Sequence, residues 1–315
     1  MDNNLLKEKI IQLKKEKNAV ILGHYYQRDE IQEVSDYIGD SLALAQEAQR
    51  SDKDIIVFCG VHFMAETAKI LNPSRKVLLP EMKASCSLAE SCKAEDFKKF
   101  KNEHPDHIVI SYINCTAEIK ALSDLICTSG NAEKLVNSLP KDQKIIFAPD
   151  KNLGGYINKK TGRNMLLWDG VCRVHDALKA ETVVKMKKKY AGVPVIAHPE
   201  CNKELLAESD FIGSTKAMLN YIEKSGKKQF IVATESGILY EMKKQNPDKE
   251  FIVVGEGEKP CCIECKDMKL NTLQSLYDCL LKETPEIELS QELIEQSKKS
   301  IERMLEMSRE LGIIK

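Results

Sequence analysis

A seven-residue pattern occurs three times in this chain and constrains its fold more than any other feature: S-D-Y-I-G-D-S at Ser35–Ser41, S-D-L-I-C-T-S at Ser123–Ser129 and S-D-F-I-G-S-T at Ser209–Thr215. Before each copy a short apolar run ends in a ring, as V-I-L-G-H, I-V-I-S-Y and P-V-I-A-H. The separations 41 − 24, 129 − 112 and 215 − 198 are each 17 residues, so His24, Tyr112 and His198 are equivalent, as are Ser41, Ser129 and Thr215. Each copy then runs on to a cysteine: Cys86 lies 45 residues after Ser41, Cys172 lies 43 after Ser129, and Cys265 lies 50 after Thr215. Repeats of this length are domains and not the units of a solenoid.

Within each copy, apolar runs of strand length alternate with helical patterns, which predicts an α/β chain of three pseudo-threefold-related three-layer αβα domains with small parallel sheets. Strands are expected at 19–23, 55–58 and 77–79 in the first copy, at 108–111, 145–148 and 165–168 in the second, and at 193–197, 230–234 and 251–254 in the third. The first heptad reads as a break between helices at 30–36 and 40–50, and P-D-K-N-L-G-G (149–155) reads as a turn. An amphipathic helix opens the chain at 5–17, and another closes it at 289–311, with Leu293, Ile301, Leu305 and Ser308 on one face. The expected units are 1–105 with the N-terminal helix and Cys86, 106–190 with Cys172, 191–285 with Cys265, and the C-terminal helix 286–315. No Pro/Ser-rich linker separates them, so tight packing is expected.

A formal net charge of −1 rules out a global basic field for nucleic acid or an anionic membrane, and leaves any acidic ligand to local chemistry. The N-terminus lacks the apolar core of a secretion signal and no window has the length of a membrane span, so a cytoplasmic location is expected. Eleven cysteines, an odd number, suit metal ligation or redox chemistry better than a disulfide framework.

Three similar domains around a common axis turn the carboxyl ends of their strands, and their cysteine loops, toward one central site. One thiolate from each domain then suits either a three-cysteine zinc site or an iron–sulfur cluster. The ring at a strand end and the hydroxyl at a helix start form a pair in each domain. Each hydroxyl is either a helix cap or a ligand contact. His24, Tyr26, Tyr112, Asn114, His198 and Glu200 add proton carriers and hydrogen-bonding groups suited to a small, oxygen-rich substrate.

The motifs G-H-Y-Y-Q, G-D-S-L, Y-I-N-C-T-A-E-I-K-A, C-T-S-G-N-A, W-D-G-V-C-R-V-H, H-P-E-C and C-K-D-M-K-L-N-T-L, in this order from Ala19 to Leu273, resemble the quinolinate synthase family. The resemblance implies three α/β domains enclosing a [4Fe–4S] cluster with three cysteine ligands, matched here by Cys86, Cys172 and Cys265. It implies condensation of iminoaspartate with dihydroxyacetone phosphate to quinolinate, with loss of phosphate and two waters, in de novo NAD biosynthesis. L-Aspartate oxidase or an aspartate dehydrogenase would supply the imine. His24, Ser41, Tyr112, Asn114, Ser129, His198, Glu200 and Thr215 match the substrate-binding set, and Tyr26 and Glu200, with His24 and His198, the catalytic one. The resemblance, through its C-x-x-M-K motif, implies Cys265 over its neighbours Cys261 and Cys262, the latter able to pair with Cys265 as an oxidisable dithiol; Cys92 is the alternative to Cys86. Another cluster-dependent hydro-lyase, or a zinc-stabilised thiol sensor, is the competing reading of the same residues.

Overall fold

The structure, a computed structural model, describes residues 2–255 and 264–314. Its strands are β1 (Ala19–His24), β2 (Tyr37–Gly39), β3 (Ile55–Cys59), β4 (Lys76–Leu78), β5 (Ile108–Tyr112), β6 (Leu125–Cys127), β7 (Ile145–Ala148), β8 (Leu166–Leu167), β9 (Val195–Ala197), β10 (Phe211–Ile212), β11 (Gln229–Ala233) and β12 (Glu250–Val253). They form three four-stranded sheets of the same order, β2-β1-β3-β4, β6-β5-β7-β8 and β10-β9-β11-β12, and every pairing between named strands is parallel. Helices cover the faces, so the central strands are apolar throughout: every residue of β1, β3 and β7 is buried.

The heptad is where the structure departs from the expected helix break. Its centre is an edge strand, β2, β6 or β10, and each position has a separate task. The opening serine closes the preceding helix, Ser35, Ser123 and Ser209 donating to the carbonyls of Ile31, Ile119 and Leu205 at 2.8, 2.6 and 3.0 Å. The aspartate locks the strand to its neighbour. Carboxylates of Asp36, Asp124 and Asp210 accept from the backbone N–H of Ile21, Val109 and Val195 at 2.8, 2.7 and 2.8 Å. Their own N–H groups donate back to the carbonyls of the same three residues. Two or three strand residues later the chain turns into the next helix. At Gly39 and Gly213 a Cβ would lie 2.9 Å from the Cβ of Ala43 or Ala217, so glycine is required where strand and helix meet this closely. The middle copy has Cys127 instead, and its helix starts later, at Ala132.

Residues 149–155 likewise depart from the turn expected there. Asp150 accepts from Leu153 N–H at 2.8 Å and caps a helix, Lys151–Thr161, that runs through both glycines. Gly154 is used for close packing, since a Cβ there would meet Leu167 Cδ2 at 2.6 Å and Phe147 Cδ1 at 2.8 Å. The N-terminal helix Asn3–Glu16 buries Leu6 and Ile10 against the helix Leu273–Lys282. The closing helix Gln291–Glu310 lies on the second sheet's helices, with Ile301, Met304 and Leu305 in the core beside Ile119 and Ile126. Two of its buried serines are satisfied there: Ser300 donates to Lys120 O at 2.7 Å, and Ser308 accepts from Asn131 at 3.1 Å. Among the described residues no helix is long and apolar enough to cross a membrane.

The aspartate clamp predicts a specific loss. Asp124→Ala removes a charge-assisted bond and strands the Val109 N–H at a buried strand, so it should cost about 1.5–3 kcal/mol. A shift of the urea midpoint corresponding to less than about 0.5 kcal/mol would show that water replaces the carboxylate.

Candidate active site

Parallel sheets gather ligands at the carboxyl ends of their strands, and here three such ends meet. His24 and Tyr112 are the last residues of β1 and β5, and His198 directly follows β9. Because β2 and β6 pair in register with β1 and β5, His24 lies beside Gly39 and Tyr112 beside Cys127, each two residues short of the closing hydroxyl. Strand register therefore produces the seventeen-residue spacing.

The capping question is answered one residue earlier in two of the copies. Asp40 accepts from Ala43 N–H at 3.1 Å and Ser214 from Ala217 N–H at 3.3 Å, which makes them the caps and leaves Ser41 and Thr215 facing the cavity. The cavity is lined by His24, Tyr26, Ser41, Cys86, Tyr112 and Asn114, and by Ser129, Cys172, His198, Glu200, Thr215 and Cys265. Every site residue expected from the sequence thus lies on one surface. Two buried polar atoms on it, Asn114 Oδ1 and Thr128 Oγ1, have no hydrogen-bond partner among the described residues. Such orphans mark where a polar ligand is expected.

Glu200 is the electrostatic centre. Its Oε2 lies 2.8 Å from His175 Nδ1 and 3.3 Å from His198 Nδ1, and its Oε1 accepts from Asn114 at 3.3 Å. Burial opposes ionisation, but the two imidazoles and their hydrogen bonds outweigh it and hold the carboxyl well below the usual range. With Glu200 ionised, His175 donates from Nδ1 and accepts at Nε2 from Thr234 Oγ1 at 2.8 Å; His198 Nδ1 also accepts from the Glu200 backbone N–H at 3.4 Å, and its Nε2 pairs with Ser129 Oγ at 3.2 Å. Thr234 in turn accepts from the Tyr26 hydroxyl at 2.9 Å. Burial pushes the phenols of Tyr26 and Tyr112 well up, so both stay protonated. Burial first, then the neighbouring His198, lowers His24 to about 3, which keeps it neutral.

The three cysteines enter from separate loops. Cys86 precedes the helix Ser87–Glu90, Cys172 donates its N–H to Asp150 at 3.2 Å, and Cys265 donates its own to Glu235 at 3.1 Å. Burial raises all three thiols, Cys86 to about 12 and Cys265 to about 11. Their sulfurs do not all fall within 4.8 Å of one another; among the described residues only Cys172, His175 and Glu200 bring three metal-ligating atoms that close. The rival Cys92 is buried in the core and does not line the cavity. Cys261 and Cys262 lie outside the described residues.

Residues 8–306 match the family described as Quinolinate synthetase A protein. The chain belongs to this family. Proteins named quinolinate synthase are similar to it over nearly their whole length. One from Chloroherpeton thalassium is 58% identical over 303 residues, covering 96% of this chain and 94% of that protein. One from Synechocystis sp. is 56% identical over 296 residues, covering 94% and 93%.

Against this family background, several side chains missed by sequence reasoning stand out. His175 follows Cys172 by three residues, the spacing that places both on one side of a helical turn, and this was the available signal in C-R-V-H. Thr234 and Glu235 follow β11, as the rings follow the first strands. Lys269 had no such signal; it neutralises buried Glu235 at 3.1 Å and donates to the Tyr26 carbonyl at 2.7 Å, tying the Cys265 loop to the first sheet. By contrast His62 and Glu66, four residues apart on one helix and 3.5 Å from each other, are structural, because Glu66 accepts from Ala117 N–H at 3.0 Å and caps the helix Ala117–Leu122.

His24 gives a pH prediction. Its folded pKa lies below its unfolded one, so between about 6.5 and 3 the unfolded chain binds a proton that the native chain refuses. Stability should therefore fall as pH drops through this window, by up to about 1.4 kcal/mol per unit from this residue. His24→Gln should flatten that limb in urea titrations; an unchanged slope would contradict the assignment.

Proposed function

We propose that this chain condenses iminoaspartate with dihydroxyacetone phosphate to quinolinate, releasing phosphate and two waters, as a cytoplasmic step of de novo NAD biosynthesis. The observation that carries the reading is the convergence of the ring, hydroxyl and thiol of each repeat on one cavity in a chain of this family. L-Aspartate oxidase or an aspartate dehydrogenase is the expected source of the unstable imine.

Cys86, Cys172 and Cys265 fit a [4Fe–4S] cluster. The three thiols come from separate loops and do not form one of the close single-ion groups found among the described residues, which favours the larger four-iron cluster over one zinc ion. Thiols pushed up by burial become thiolates only beside a cation. No fourth cysteine lines the cavity among the described residues. Such a cluster, when bound, supplies a Lewis-acidic iron that carries no protein thiolate.

The chain's own residues do the rest. Both substrates are anionic, yet no lysine or arginine lines the cavity among the described residues. Phosphate and carboxylates are therefore held by neutral donors: the hydroxyls of Ser41, Ser129 and Thr215, the Tyr112 phenol, the Asn114 amide and the His24 imidazole. Tyr26, kept protonated by burial, gives a proton to an oxygen or carbon of the condensing substrates. Glu200, ionised between His175 and His198, takes one, and His198 passes protons to and from Ser129. Enclosure excludes water, which protects the hydrolysable imine.

Supplying dihydroxyacetone phosphate with enzymatically generated iminoaspartate to anaerobically purified protein should yield a pyridine dicarboxylate. A product of simple dehydration in its place would favour the hydro-lyase. Tyr26→Phe should lower kcat by roughly 10²–10⁴-fold with KM little changed. Cys172→Ala should abolish the cluster's visible absorption, and an intact chromophore with full activity would overturn the ligand assignment.

A further inference from the structure

The tightest group of metal-ligating atoms among the described residues is not the three-thiol set. Cys172 Sγ, His175 Nδ1 and Glu200 Oε2 converge, with Nδ1 3.2 Å from the sulfur and 2.8 Å from the carboxylate oxygen. A tetrahedral ion with bonds of about 2.3 Å to sulfur and about 2.0 Å to nitrogen or oxygen needs these atoms roughly 3.3–3.6 Å apart. Widening these two contacts by a few tenths of an ångström meets that need for both, and the third pair, the sulfur and the carboxylate oxygen, lies within 4.8 Å. We propose that the chain, when free of its cluster, binds a single borderline divalent ion of the zinc, cobalt or ferrous class at Cys172, His175 and Glu200.

Charge counting favours this set over the three thiols. One thiolate and one carboxylate neutralise a dication, leaving a buried centre with no net charge. Three thiolates would leave a net negative charge in the same cavity, beside the carboxylate of Glu200. The supporting groups are already placed. Thr234 Oγ1 lies 2.8 Å from His175 Nε2, and Asn114 holds Glu200 Oε1 so that Oε2 faces the ion. On binding, the thiol of Cys172 releases its proton to solvent. The Nδ1 proton of His175 is replaced by the metal bond, and the imidazole carries its proton at Nε2 instead. The Thr234 hydroxyl then accepts from Nε2 and donates to Tyr26. A sulfur and an imidazole select this class over magnesium or calcium. Because Cys172 serves both arrangements, the lone ion and a cluster ligated by Cys172 exclude each other.

The test is titration of anaerobically prepared, chelator-treated full-length protein with cobalt(II). One equivalent should develop thiolate-to-cobalt charge transfer together with the intense visible bands of a tetrahedral ion. X-ray absorption on the unmodified chain should find one sulfur with nitrogen and oxygen neighbours. Cys172→Ser, His175→Gln and Glu200→Gln should each abolish the bands, Thr234→Val should weaken binding by ~10–100-fold, and Cys86→Ser and Cys265→Ser should leave binding unchanged. Circular dichroism confirms that each variant is folded. Three sulfurs around cobalt, loss of binding in Cys86→Ser, or no stoichiometric binding would overturn the proposal. Quinolinate formation by the reconstituted protein is measured separately, so the failure of either reading is seen without the other.

Discussion

The bond between a heptad aspartate and the backbone of the first strand of its sheet underlies the arrangement of this protein. Asp36, Asp124 and Asp210 each make it with both the N–H and the C=O of one residue. The edge strand is thereby locked in register, and register decides how far the next helix start lies from the ring at the end of the neighbouring strand. A slip of one residue would turn the closing hydroxyl away from the cavity. Three copies of one clamp thus put three ring-and-hydroxyl pairs at the same height around a common centre.

That centre is buried and has few formal charges. Glu200 remains ionised because two imidazoles share it, while burial keeps His24 neutral and the tyrosines and thiols protonated. The cavity is therefore rich in hydrogen-bond donors, and no lysine or arginine lines it among the described residues, an arrangement suited to a polar ligand held by neutral groups. The link from Tyr26 through Thr234 and His175 to Glu200 joins residues of all three sheets. The proton-carrying groups accordingly depend on the units being packed together.

Much of this was legible in the chain itself. The alternation of apolar runs and helices placed most of the strands, and the equivalence of His24, Tyr112 and His198 pointed to one site. The short edge strands were not legible, because two or three residues carry no period. The helix through Gly154 and Gly155 was hidden because its glycine serves a contact with Leu167 and Phe147 that is remote in sequence. His175 and Thr234 carry only weak local signals, a three-residue spacing from Cys172 and a place after β11, and their contacts with Glu200 and Tyr26 come from other units of the chain.

The sequence by itself determined the threefold repetition, the α/β class and the residue types delivered to each strand end, because these follow from local spacing and from the side-chain period of helix and strand. Tertiary structure alone decided which hydroxyls cap helices and which face the cavity, that Glu200 is shared by two histidines, and that three cysteines distant in sequence line one cavity. Those outcomes depend on distances between separate sheets, which are set by how the units pack and are encoded in no single stretch of the chain.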